Sequence, residues 1–168
     1  EALLADAKAN GETVSPRELG ARAKRILAGR EVRGTLAAIE RAGGRARYVA
    51  ADVLDGDAIR AALTTVREDW GPITGIVHGA GVLADKHLVD KSDDDFARVY
   101  GTKVDGARAL LDALSDDPIA SVMLFGSVAA RFGNVGQSDY AMANAALDAL
   151  ALEERARRPD ARVRCIAW

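Results

Sequence analysis

"IASVMLFGSVAARFGNVGQSDYAMANAALDAL", residues 119–150, sets a continuous apolar run, a glycine-dotted loop and a long helical segment side by side. An apolar run ends at Ser127, a loop passes through Gly133 and Gly136, and the chain resumes as a helix with Tyr140 in its first turn. The run 119–127 is too continuously apolar for a strand with one wet face, which predicts a buried, parallel strand. A helix over 138–157 follows it. The open question is whether the loop between them is ordinary punctuation or holds Ser127 and Tyr140 over a ligand.

Working outward, "ITGIVHGAG" (73–81) is a second strand of the same kind, and "ARYVA" (46–50) and "ARVRCIAW" (161–168) are two more. Amphipathic segments lie between them: 56–69, with Ile59, Leu63 and Val66 at helical spacing, and 92–114, with Phe96, Val99, Val104 and Leu110. Strands alternating with helices long enough to cross over predict an α/β, doubly wound parallel sheet of Rossmann-like type.

The first third differs. "SPREL" (15–19) is a helix start, with Ser15 as cap, Pro16 at the first helical position and Glu18 in the first turn. One helix is expected from there to about Ala28 and another from Val32 to Ala42, stopped by Gly43 and Gly44. No strand precedes them and the chain contains no G-x-G-x-x-G, so the first strand and phosphate loop of such a sheet are expected outside it. The expected organisation is a single domain over 1–168, with 1–45 a helical lead-in and 46–168 the Rossmann-like part. A start without methionine and an end inside the apolar run "VRCIAW" suggest a piece of a longer polypeptide.

Bulk composition narrows the partners. At 168 residues, 49% hydrophobic and 29% charged with net charge −2, the chain has enough apolar material for a core and no excess charge to attract nucleic acid or a membrane surface. Cys165 is the sole cysteine, which excludes an internal disulfide framework and a Cys-based zinc site and fits a reducing compartment. No apolar run nears the roughly 18 residues that span a bilayer, and "EALLADAKAN" lacks the basic start and apolar middle of a signal peptide. A soluble, cytoplasmic protein is expected.

In doubly wound sheets ligands sit beyond the carboxyl ends of the strands. Gly79 and Gly81 flank Ala80 where the second strand should end; they supply either a turn or a bare backbone against which a flat ligand lies. Tyr140 and Asn144 share one face of their helix, and Ser127 stands thirteen residues before the tyrosine. A tyrosine, with a reference pKa of about 10, needs a cation or a hydroxyl nearby to give up its proton near neutral pH. Lys103, mid-helix among residues suited to a half-buried face, is the candidate cation. The residues alone leave the plain alternative open: a helix-start aromatic, a turn serine and a snorkelling lysine. His78 is expected to be a satisfied core residue and His87 to lie at the surface, with no metal site. "DKSDDDF" (90–96) is expected to be Ser92 capping a helix with carboxylates in its first turn, and "EERARRPDAR" a solvated helix end.

Taken together, "IVHGAGVLADKHLVDKSDDDFARVYGTKVDGARALL" and "LFGSVAARFGNVGQSDYAMANAALDALA" resemble the ketoreductase domain of modular polyketide and polyunsaturated fatty acid synthases, within the short-chain dehydrogenase/reductase superfamily. General members of that superfamily carry a lysine shortly after the tyrosine. In the ketoreductase domains lysine and asparagine exchange places, and Lys103 in "TKVDGA" with Asn144 matches that exchange. The resemblance implies that Tyr140 donates a proton to the nascent alkoxide, Ser127 hydrogen-bonds the ketone oxygen, Lys103 eases loss of the tyrosine proton, and Asn144 supports the lysine. It further implies that Asp52 and Val53 of "ADV" meet the adenine, and that Gly79, Ala80 and Gly81 line the adenosine.

The cofactor implied is NADPH, with the residues that read its 2′-phosphate expected before residue 1. The implied substrate is a β-ketoacyl chain on the phosphopantetheine of an acyl carrier protein, and neighbouring synthase domains are the other partners. The family's Leu-Asp-Asp motif for the D alcohol stands here as Leu83, Ala84, Asp85, and Phe132 replaces the tryptophan of the opposite class; both lean to the D product. Gly126 stands where the family often has serine. Segment 1–45 is similar to a helical insertion of the polyunsaturated fatty acid synthases. The competing readings are a catalytically silent structural domain of such a synthase and a stand-alone short-chain reductase.

Overall fold

The computed structural model describes residue 11 and residues 13–168, so the expectations for the segment before residue 11 lie outside the described residues. The chain forms two compact units, Glu1–Ala50 and Ala51–Trp168.

Among its described residues the first unit holds one helix, α1 (Pro16–Arg41), where two were expected between Pro16 and Ala42. Its start is a full capping box: the Ser15 side chain accepts from the Glu18 amide, and Glu18 Oε2 accepts from the Ser15 amide at 2.8 Å. The helix runs on through Gly29, because a lone glycine weakens a helix by only about 1 kcal/mol and no proline or polar cap accompanies it. It stops where the glycines are, with Gly43 at φ +81° and the Gly44 amide donating to Ile39 O. Residues 46–50, expected as a strand, join no ladder of the sheet. A strand exists only through its pairing, and apolar alternation alone cannot supply the neighbour.

In the second unit, α2 (Gly56–Trp70) is capped by Asp55, whose carboxylate accepts from the Asp57 and Ala58 amides. Strand β1 (Gly75–His78) follows, then a 3₁₀ turn at Leu88–Asp90. Next come α3 (Asp93–Tyr100), a π-helical turn (Gly101–Asp105) and α4 (Gly106–Ala113). Then come β2 (Ser121–Gly126), the short α5 (Ala129–Phe132), α6 (Ser138–Arg157) and β3 (Arg162–Ala167). The sheet is parallel, in the order β1-β2-β3, with Ile76 opposite Val122 and Val122 opposite Val163. This is the α/β parallel architecture that the alternation predicts.

One face of the sheet makes the core. Ile76, Val122, Leu124 and Val163 meet Ala107, Leu111 and Leu114 from the α4 region and Leu147, Leu150 and Ala151 from α6. The alternate positions Val77 and Met123 are 66% and 36% exposed, so strands expected to be buried on both faces are covered on one. An apolar outer face of this kind is one that parallel sheets cover with a second helical layer.

The far end of the unit is pinned by Asp117, whose carboxylate accepts from Arg67 Nε and Nη2 and from the Ile73 amide. The end of α6, expected to be solvated, is held instead. Glu154 is buried and accepts from Arg158, which also donates to Leu114 O, while Arg155 Nε donates to Val163 O. The α6 register turns Glu154 inward, and long arginine stems can lie along apolar surface while their heads find carbonyls. No helix among the described residues is long and apolar enough to cross a membrane.

Candidate active site

The carboxyl ends of β1 and β2 open onto a cavity of about 280 Å3 lined by Gly79, Gly81, Leu83, Lys103, Tyr140 and Trp168, with Val82, Phe125 and Gly126 completing it. Its floor is bare because of the glycines. A Cβ on Gly81 would lie 3.3 Å from Lys103 Cε and 3.5 Å from its Nζ. A flat ligand can therefore reach both the backbone and the ammonium.

Lys103 is on the π-helical turn that interrupts the helix expected over 92–114. Such a turn inserts one residue into the helical ladder and changes the direction in which a side chain leaves it. The Gly106 amide donates to Gly101 O across the five-residue step. Gly106 itself permits the close packing of this turn, since a Cβ there would meet Val53 Cγ2 at 2.8 Å. The Lys103 carbonyl is taken up by His78 at 2.9 Å from Nε2. A carbonyl only accepts, so Nε2 carries the hydrogen and donates. Burial holds the His78 ring below its ordinary pKa, which keeps it neutral for that task. The histidine is thus a core residue, as expected, with the added duty of closing the π turn.

The Lys103 side chain is 4% exposed. Its Nζ donates to Phe125 O at 2.9 Å and stands 5.6 Å from the centroid of the Tyr140 ring. Carbonyl and ring are the described compensation for the charge, and burial pushes the ammonium below its usual pKa. Lys103 and Tyr140 are therefore brought together by two separate helices.

Asn144 lies one turn after Tyr140, completely buried, with Nδ2 donating to Tyr140 O at 2.7 Å. Its Oδ1 is buried without a hydrogen-bond partner, an acceptor held ready behind the site. Ser127 follows the last residue of β2. Its Oγ accepts from the Ala129 amide at 3.2 Å, which leaves the hydroxyl hydrogen for another oxygen. Gly126 rather than serine precedes it for a local reason: a Cβ there would come within 2.9 Å of Cys165 Sγ and 3.3 Å of Ile166 O. The Cys165 thiol is itself pushed up to about 12 by burial and by its bond to Asp148.

The remaining expected residues are more scattered. Ala80 sits between the two lining glycines and is half-buried. Asp52 makes a local turn, accepting from the Leu54 amide, and Val53 packs on Gly106; neither lines the cavity. Asp85 is exposed and accepts from Gln137 Nε2 at 2.9 Å. Ser92 caps α3 as expected, in a capping box with Asp95, whose carboxyl is held far below its usual range by Lys86 and Ser92. The sequence reading missed Leu83, Phe125 and Trp168 as lining groups. The signal available for them was position at the carboxyl end of an apolar run, for Phe125 and Trp168, or just past one, for Leu83.

The sequence model of the KR domain matches residues 15–168. The chain belongs to the KR domain family. The KR chain is 42% identical over 154 residues to one component of the polyunsaturated fatty acid synthase of Thraustochytrium sp., covering 91% of this chain and 6% of that protein. It therefore spans a small part of the length of such relatives. Among solved structures, an N-terminal ketoreductase from a macrolactin assembly line superposes with TM-score 0.77 at 31% identity, over 83% of this chain and 29% of that one. A short-chain dehydrogenase from Burkholderia cenocepacia J2315, solved in complex with NADP, superposes with TM-score 0.73 at 26% identity, over 80% of this chain and 57% of that one.

Proposed function

We propose that this KR domain carries the catalytic half of an NADPH-dependent β-ketoacyl reductase, acting on a chain held by the phosphopantetheine of an acyl carrier protein inside a multidomain synthase. The observation that carries the reading is the convergence of the Lys103 ammonium, Tyr140 and the bare Gly79–Gly81 floor on one cavity. Kinship with a polyunsaturated fatty acid synthase and with an assembly-line ketoreductase supports it.

Gly79, Ala80 and Gly81 would line the adenosine side of the cofactor, with Asp52 and Val53 toward the adenine. When bound, the nicotinamide supplies the hydride for carbonyl reduction. As the carbonyl is reduced, negative charge develops on the substrate oxygen. Donors already aimed at that oxygen are worth more than donors that must reorganise during the reaction. Tyr140 gives that oxygen its proton, and the Ser127 hydroxyl, with its hydrogen unspent, donates to it. Lys103 sets a positive charge beside the tyrosine that is losing a proton. Asn144 holds the first turn of α6 through the Tyr140 carbonyl, and its unpartnered Oδ1 offers an acceptor to the proton path. Asp85 borders the path of the substrate and biases the product toward the D alcohol.

The test is cofactor consumption by the full-length protein with a β-ketoacyl thioester, run with NADPH and NADH in parallel. Substrate-dependent oxidation that favours NADPH is expected. No oxidation with either cofactor would sink the reading.

A further inference from the structure

Beside the cavity, and outside the groups assigned above, lies an enclosed ion pair. The Lys91 and Asp139 side chains are 3% and 1% exposed, with Nζ 2.8 Å from Oδ2. Enclosing two charges is costly, and an apolar pair of similar volume would serve stability as well. Their connections indicate what the pair does. The same Lys91 Nζ donates to Ala84 O at 2.8 Å, and the other Asp139 oxygen accepts from the Tyr140 amide at 2.8 Å. One ammonium therefore joins the residue after Leu83, a wall of the cavity, to the residue before Tyr140. Two outer contacts run parallel to it: Gln137 Nε2 to Asp85 at 2.9 Å, and the Lys86 amide to Gly136 O at 3.0 Å. Gly136, at φ +79°, suits this approach, because a Cβ there would sit 3.5 Å from the Lys86 backbone.

We propose that Lys91 and Asp139 are positioning residues that fix the spacing between the Leu83 wall and Tyr140, and so hold the ketone oxygen against the proton donor in one pose, which sets the face of the carbonyl carbon open to hydride. The proposal rests on the ketoreductase reading for its chemistry. The geometric part, a clamp between segments 82–91 and 136–141, does not. A clamp of this kind acts on specificity: without it the substrate still enters, but its carbonyl is no longer confined to one pose.

The experiment uses the full-length protein with Lys91→Met, which keeps the stem and removes the charge, and Asp139→Asn, which keeps the shape and one acceptor. Amide hydrogen exchange is followed in segments 82–91 and 136–141, and kcat, KM and the enantiomer ratio of the hydroxyacyl product are measured on the folded fraction. In Lys91→Met both segments should lose protection together. Its kcat/KM should fall by up to about a hundredfold, a loss that roughly 1 Å of misplacement can bring, with an eroded enantiomer ratio. Asp139→Asn should show the same changes to a smaller degree, and it carries the test if Lys91→Met does not fold.

Unchanged exchange in these segments would overturn the clamp. An unchanged enantiomer ratio alongside a lowered melting temperature would reduce the pair to a structural one and overturn its role in specificity. A wild-type protein that reduces no β-ketoacyl thioester fails the reductase reading instead, and the exchange pattern still decides the clamp.

Discussion

Replacing His78 tests whether the π turn that carries Lys103 is held from the sheet. In His78→Leu the shape is roughly kept, but the buried Lys103 carbonyl loses a donor that now sits 2.9 Å away. An acceptor left unpaired in a site this enclosed costs about 1–3 kcal/mol, a change of about 5- to 150-fold in the unfolding constant. His78→Gln, whose amide reaches about as far as Nε2, should recover most of that loss. The pH dependence supplies a second, independent reading. Burial lowers the His78 pKa, the Lys103 carbonyl opposes that shift, and the Lys103 charge adds to it. Below the unfolded histidine value of about 6.5, the unfolded chain takes up a proton that the folded chain refuses. This contribution to stability is therefore whole above that value and drains away as pH falls from it toward the lowered folded value. Urea unfolding at about pH 7.5 and about pH 5.5, on either side of the reference value, should show a wild-type loss that is absent in His78→Gln. Equal stabilities for wild type and His78→Leu would mean that His78 does not hold the turn, and an identical pH response in His78→Gln would mean that its ring is not the group that titrates.

Two further substitutions separate site from scaffold. Gly81→Ala should leave the fold within about 1 kcal/mol, because its Cβ meets only the far end of Lys103, and should lower kcat by displacing the ammonium; thermal melts and steady-state rates check both. Asp117→Asn should cost about 1–3 kcal/mol by weakening the bonds to Arg67 and the Ile73 amide. Because those bonds hold the Asp117 carboxyl below its ordinary value, its contribution is whole above about pH 4 and falls away beneath it, and an acid titration of wild type against Asp117→Asn should show that difference.

The parts of this fold legible in the sequence are those whose cause is local. Helix α6 spans Ser138–Arg157, as the residues after the glycine loop predict, and the capping boxes at Ser15 and Ser92 are written in three-residue spacings. The π turn was not legible. Its cause is tertiary: the His78 donor, the close pass over Val53 and the pull of Phe125 O on Lys103 act across separate elements, and 92–114 alone has an unbroken helical period. The strand expected at 46–50 failed for a related reason, since Tyr48 and Val49 supply strand character but no pairing partner. At the site, the two glycines could be named from their place after an apolar run, Tyr140 from the helix start beyond Ser127 and Lys103 from its mid-helix place, all with the support of family resemblance. Lys91 and Asp139 could not, because a lysine and an aspartate 48 residues apart carry no sign of meeting until the loops are folded together.

The proposed role of Tyr140, delivering the proton in a nicotinamide-driven ketone reduction, is tested by Tyr140→Phe in the full-length protein. NADPH binding should remain near wild type, because only a hydroxyl is removed from a ring that keeps its contact with Lys103. Substrate-dependent NADPH oxidation should fall by about 10²- to 10⁴-fold, the usual contribution of a positioned acid. A Tyr140→Phe enzyme that turns over at the wild-type rate would mean that Tyr140 is not the proton donor.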